Sequence, residues 1–150
     1  MKFGTSKLKL NKDIYILLSA VLIMHIASYI VIPVLPIIFK IEKGINPTQI
    51  GIIIGAGSIA FQVGNVISGA ISDRIGKKTT MIIGSIVQTL AFVGYGMSNS
   101  YFLLLVFSST NSAGSGIYAP TLKAALSVLA SKSADTRTTA FSLRGIVANI

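Results

Sequence analysis

Gly69-Ala70-Ile71-Ser72-Asp73-Arg74-Ile75-Gly76-Lys77-Lys78-Thr79-Thr80-Met81 joins two long apolar runs and concentrates charge between them. Four of the six residues from 73 to 78 are ionisable, and the string reads G-x-x-x-D-R-x-G-K-K-x-T from Gly69. Charge is scarce elsewhere: of 150 residues, 11% are charged and 52% apolar, with a mean hydropathy of +0.77. Outward from the charged stretch, residues 14–39, 50–71, 79–97 and 101–122 carry no acid, lysine or arginine. Each run has, or nearly has, the ~20 residues a helix needs to cross ~30 Å of hydrocarbon. A soluble bundle would give such runs a polar face. The expected fold class is therefore all-α and integral to a membrane.

Basic residues are sorted by side. Lys2, Lys7, Lys9 and Lys12 precede the first run, Arg74, Lys77 and Lys78 follow the second, and Lys132 and Arg137 follow the fourth. The opposite connections hold only Lys40 and Lys43, with nothing basic in Ser98-Asn99-Ser100. Basic loops stay cytoplasmic, so a multi-pass chain in the cell membrane with its N-terminus and the Asp73 stretch inside is expected. The net charge of +9 orients the chain in a lipid bilayer and does not point to nucleic acid. The first run is too long for a cleaved leader, and Pro33-Val34-Leu35-Pro36 at its end is no small-residue cleavage site. With no cysteine, one histidine and four acids, neither a metal cluster nor an enzyme's nucleophile–base constellation is expected, and no cofactor.

The expected spans are about residues 14–39, 48–72, 79–97 and 101–130, with a fifth apolar segment at 138–150 that is too short to cross. Pro33 and Pro36 should kink the first span near its outer end. Asn46-Pro47-Thr48 reads as a helix start. The second span carries Gly51, Gly55, Gly57, Ala60, Gly64, Ser68 and Gly69, small residues that let backbones approach in lipid. Ser98-Asn99-Ser100 is short enough to make the third and fourth spans an antiparallel hairpin. A helix abandoned inside hydrocarbon leaves carbonyls unsatisfied, so the chain reads as the beginning of a longer protein.

The charged stretch resembles the signature between the second and third spans of the major facilitator superfamily. An ordinary positive-inside loop would need the Lys and Arg but not an Asp before the Arg, nor glycines at fixed offsets. Ile32-Pro33-Val34-Leu35-Pro36 is similar to the corresponding segment of the twelve-span drug:proton antiporters of that superfamily. The resemblance covers essentially the whole chain, as spans one to four and the start of span five of the N-terminal six-span half. It implies that Gly69, Asp73, Arg74, Gly76, Lys77 and Lys78 form a gating loop that latches the cytoplasmic side when the carrier opens outward. Gly69 would allow close contact there, Gly76 a tight reversal, and Thr79 or Thr80 would cap the third helix. Two departures stand out. Thr110 occupies the slot where antiporters of this group carry an Arg tied to proton coupling, and Val66 stands where many relatives have Pro.

Few ionisable or strongly polar groups sit at membrane depth. His25 lies near the middle of the first span, and helical spacing puts Tyr29 and Pro36 on its face with Ser28 beside it. An imidazole at that depth is a candidate substrate contact or proton site, against a neutral histidine bonded to a neighbouring helix. Gln62 and Asn65 want polar partners inside a bundle, and packing is the plainer reading for both. Asn111 opens the polar run Asn111-Ser112-Ala113-Gly114-Ser115-Gly116 in the fourth span. Lys123 and Arg144 either snorkel to the cytoplasmic surface or line an inward-facing cavity. The substrate or proton candidates are His25, Tyr29, Gln62, Asn65, Asn111, Lys123 and Arg144.

The expected function is secondary active transport: export of a small-molecule substrate by alternating access, coupled to protons, with the remaining C-terminal part of the transporter as partner. A truncated, non-transporting membrane fragment and a facilitator importing a metabolite are the alternatives.

Overall fold

The computed structural model describes residues 12–130 and 134–147. Lys2, Lys7, Lys9 and Lys132, which entered the count of charge by side, lie outside the described residues, as do residues 148–150 of the expected fifth segment. Every regular element among the described residues is an α-helix: α1 Lys12–Val31, α2 Leu35–Ile41, α3 Pro47–Ile75, α4 Lys77–Met97, α5 Tyr101–Leu129 and α6 Ala134–Val147. The last begins four residues ahead of the expected segment.

The prolines of the first span do more than kink it. Pro33 has no N–H to give the helix, and a turn at residues 32–34, closed by Val34 N–H on the Val31 carbonyl (3.1 Å), separates α1 from α2. Pro36 sits in the first turn of α2, where a missing donor costs nothing. The start of α3 is a complete capping box. Asn46 is extended, its side chain accepts from Gln49 N–H (2.9 Å), and Gln49 Oε1 accepts from Asn46 N–H (3.3 Å).

At the other end α3 runs three residues past Ser72, to Ile75, so Asp73 and Arg74 are helical. One residue, Gly76 at φ 84° and ψ 151°, links α3 to α4, a conformation that side chains disfavour. The expected threonine cap is not made. Gly76 sets the first residue of α4 at Lys77, which places Thr80 a turn inside the helix. Its buried hydroxyl donates to the Gly76 carbonyl at 2.9 Å, and α4 has no side-chain cap.

The described helices fall into two compact units. In the first, residues 12–29 with 126–130 and 134–147, Ile14 and Leu18 of α1 pack with Leu126, Ala130 and Ala140, flanked by Leu17, Leu129, Phe141 and Leu143. The second, residues 30–125, has its apolar core at one end, where Phe39, Ile45, Ile50, Ile53, Tyr95 and Leu104 meet.

Below that core, backbones rather than large side chains make the contacts. A Cβ on Gly64 would lie 2.5 Å from the Ala113 carbonyl oxygen, and one on Gly116 would overlap that of Phe61, so α3 and α5 touch main chain to main chain. On the opposite side of α5, Cβ atoms on Gly84 and Gly114 would come within 3.0 and 2.9 Å of each other's carbonyl oxygens. Glycine is required at these crossings; in lipid, dispersion contact of this kind does the work that burial does in water. Gly69 is different. A Cβ there would meet nothing within 4 Å, as at Gly51 and Gly55, so its expected close contact is not made among the described residues.

Burial is inverted relative to a soluble protein. Ser68, Ser72, Thr80, Gln88, Ser108 and Thr121 are buried, whereas Val66 and Met97 are 81% and 83% exposed. Large aliphatic side chains pointing outward all along the helices suit lipid and not water. By length and composition, Lys12–Ile41, Pro47–Ile75 and Lys77–Met97 can cross a membrane. α5 equals α3 in length, 29 residues each, but residues 108–116 give it a polar middle. The molecule is an all-α membrane bundle.

Candidate functional site

Within residues 30–125, α2, α3, α4 and α5 surround a cavity of about 550 Å³. Its apolar wall comes from Leu35 and Phe39 of α2, Ile53 and Phe61 of α3, and Tyr95 of α4. Facing these, α5 contributes Ser108, Asn111, Ser112 and Ser115, which recur at three- and four-residue spacing and so share one helix face. Ser58 and Gln62 of α3 add polar groups. No Asp, Glu, Lys, Arg or His is among the described residues that line it.

Most of the contacts that hold the walls are distant in sequence. The Tyr95 ring meets Phe39 edge-on (centroids 5.7 Å apart, 61° between planes) and Phe92 likewise (5.8 Å, 66°), a favoured aromatic geometry. Ser108 Oγ donates across to the Ile53 carbonyl at 3.3 Å, tying α5 to α3. Lys43 Nζ donates to the Ser98 carbonyl at 2.6 Å and to Asn99 Oδ1 at 3.1 Å, joining the α2–α3 connection to the α4–α5 turn. The Asn111 amide nitrogen is buried with no hydrogen-bond partner. A buried donor left unpaired is costly.

The sequence-derived candidates part company here. Gln62 and Asn111 line the cavity. Gln62 is exposed and Asn65 half-buried, and neither side chain finds among the described residues the polar partner expected of it; only the Asn65 carbonyl is engaged, by Ser68 Oγ at 2.7 Å. Pro36 also lines the cavity. In the other unit, His25 Nδ1 lies 2.9 Å from the Val21 carbonyl, and the His25 and Tyr29 rings are 5.9 Å apart. A carbonyl only accepts, so Nδ1 is the donor in this bond and Nε2 is the ring nitrogen left over. Arg144 is half-buried, and its Nε has no hydrogen-bond partner among the described residues. Lys123 is exposed on α5.

Asp73, Arg74 and Lys78 are exposed and Lys77 half-buried at the α3–α4 corner. No ion pair or side-chain hydrogen bond links them to other described residues. Sequence reasoning missed Phe39, Tyr95, Ser108 and Lys43. Each takes its meaning from a residue some 55 positions away, as for Lys43 with Ser98 and Ser108 with Ile53, and no local pattern announces such a pairing.

Comparison with known proteins agrees with this architecture. The family model described as Major Facilitator Superfamily matches residues 17–150. The quinolone resistance protein NorA of Staphylococcus aureus is 22% identical over 111 residues, 74% of this chain and 28% of that protein. An uncharacterized MFS-type transporter of Bacillus subtilis, YqjV, is 27% identical over 126 residues, 84% of this chain and 30% of the relative. The chain thus spans under a third of the length of these curated relatives. No solved structure gives a significant match.

Proposed function

The chain belongs to the Major Facilitator Superfamily, and we propose that it forms part of a secondary active transporter exporting a small molecule by alternating access. The observation that carries this reading is the cavity among α2–α5. At about 550 Å³ it falls in the range of drug-sized ligand sites, roughly 300–1,000 Å³, and it lies between helices, where carriers of this architecture bind cargo. The Staphylococcus aureus relative is a quinolone resistance protein, which makes heteroaromatic drugs of that kind the first cargo to try.

In this reading the N-terminus and the α3–α4 corner face the cytoplasm. Gly69, Asp73, Arg74, Gly76, Lys77 and Lys78 latch that side against the remaining C-terminal part of the carrier. The coupling ion is the proton, taken up at His25 Nε2. Support comes from the Nδ1–H bond to Val21, which leaves Nε2 as the ring nitrogen open to a proton, and from the lack of acids within the apolar runs, since Asp13, Glu42, Asp73 and Asp135 all lie at helix edges. An imidazole at membrane depth, with one ring nitrogen donating and the other able to accept, suits a proton relay.

The test is quinolone movement in everted membrane vesicles carrying the complete protein that the gene encodes. Uptake driven by an imposed pH gradient is expected, with loss when the gradient is collapsed. His25→Ala should abolish gradient-driven uptake and spare downhill exchange. No gradient-dependent movement of any tested drug, at normal protein levels, would overturn the proposal. A single cysteine in place of Lys78 should react only with reagent applied to the cytoplasmic face.

A further inference from the structure

Resting on the carrier reading of the same cavity, we infer that its cargo is recognised by an oxygen-bearing edge, held by the Gln62 amide of α3 with the Ser112 and Ser115 hydroxyls of α5. Gln62 is the specificity-determining residue. The first observation is depth. Gln62 stands near the middle of α3, a helix long and apolar enough to cross a membrane, where hydrocarbon offers an amide no hydrogen bond. Its side chain lines the cavity, is exposed, and bonds to no described residue. A primary amide brings both N–H donors and a carbonyl acceptor, and polar groups at this depth mark substrate pathways.

The second observation is which hydroxyls are free. Ser108 donates to the Ile53 carbonyl at 3.3 Å and Ser58 to the Ile54 carbonyl at 3.1 Å, so both protons are committed. Ser112 and Ser115 line the cavity about one helical turn apart. Neither hydroxyl bonds to a described residue, and neither is sealed from the surface. Ser112 keeps its room because Gly57 faces it: a Cβ there would lie 2.8 Å from Ser112 Oγ. The third is the remaining wall. Phe39, Phe61 and Tyr95 supply ring surface for the flat body of a heteroaromatic ligand. A ring carbonyl beside a carboxyl group, the edge a quinolone presents, gives the free donors adjacent acceptors. Neutral donors can hold the carboxylate, because hydrogen bonds to the charged form stabilise it without a cation.

A matched set of two-ring probes separates the oxygens: 1-ethyl-4-oxoquinoline-3-carboxylate has both groups, 1-ethyl-4-quinolone the ring carbonyl alone, and 1-ethylnaphthalene neither. Binding is measured by equilibrium dialysis against the complete protein in lipid nanodiscs, with empty nanodiscs subtracted, and each probe is compared with itself across variants. Gln62→Leu should weaken both oxygen-bearing probes about fivefold, the ratio one net hydrogen bond provides, and leave 1-ethylnaphthalene within about twofold. Ser112→Ala combined with Ser115→Ala should weaken the carboxylate by about fivefold or more, again sparing the hydrocarbon. Gln62→Arg, whose planar fork matches a carboxylate, should strengthen that probe about tenfold relative to 1-ethyl-4-quinolone.

Oxygen-bearing probes that bind Gln62→Leu as well as the unsubstituted protein would overturn the inference, and so would a double serine variant that binds all three probes as before. Should Gln62→Leu weaken all three alike, Gln62→Arg decides: a selective gain of the carboxylate supports the inference, and no gain sinks it. The two readings fail separately. Gradient-driven drug movement that is indifferent to Gln62→Leu, with unselective binding, leaves the carrier standing and removes the recognition by Gln62, whereas selective binding without movement does the reverse.

Discussion

At the Asn46 end of the 30–125 unit the connections are tied to one another, while at the Gly76 end conspicuous charges make no bond to any other described residue. The Asn46 end has a capping box, the Lys43 bonds to Ser98 and Asn99, and the Phe39–Tyr95–Phe92 cluster over the cavity. The Gly76 end has a one-residue link and four charged side chains, none paired with another described residue. The end that stands out in the sequence is therefore not the end that stabilises this unit. Charges with no partner among the described residues are available for contacts outside this unit, as the latch proposal requires.

The contrast predicts where substitutions destabilise. The largest effect belongs to Gly94, near the Asn46 end on α4, where an added Cβ would overlap the Phe107 ring. Gly94→Leu should cost about 3 kcal/mol by overpacking, read as a fall in thermal unfolding temperature of the purified complete protein. Next is Lys43→Met, which keeps the aliphatic stem and removes both bonds. About 1.5 kcal/mol is expected, the scale of a charged hydrogen bond in a half-buried setting. Asn46→Ala, which removes the capping box, should cost about 1 kcal/mol. If Lys43→Met left the unfolding temperature unchanged, the tie would be incidental and the asymmetry between the two ends would shrink.

How far the sequence reveals this arrangement depends on the range of the interaction. Local chemistry is legible. The apolar runs become helices, Pro33 breaks the first, Asn46-Pro47 starts α3, and Gly76 takes the positive φ that a tight link demands. The threonine cap was misplaced because α3 continues through Asp73 and Arg74, which moves the start of α4. Glycines are half legible. Gly57 and Gly64 share a helical face with Ser68 and Ser72, while Gly51, Gly55 and Gly69 lie on another. Periodicity separates the two sets, but only the fold shows that the first meets α5. The cavity is scarcely legible. Asn111 was visible as a polar residue in an apolar span, but Phe39, Tyr95 and Ser108 look like ordinary span residues until α2, α4 and α5 converge.

The smallest stability effects, at the Gly76 end, make the sharpest test. Asp73 is exposed and unpaired among the described residues, so Asp73→Asn should move stability by no more than about 0.5 kcal/mol. Gly69→Ala meets no atom within 4 Å and, in a helix, should be neutral or stabilising by up to about 1 kcal/mol. If these residues engage the remainder of the carrier, both substitutions should nevertheless slow gradient-driven transport, by about fivefold or more if the latch couples the two sides with at least ~1 kcal/mol. Unfolding temperature and transport must separate here and fall together for Gly94→Leu. Were Asp73→Asn to lower the unfolding temperature as far as Lys43→Met does, the charged corner would be a structural tie like its opposite end, and the latch would lose its physical basis.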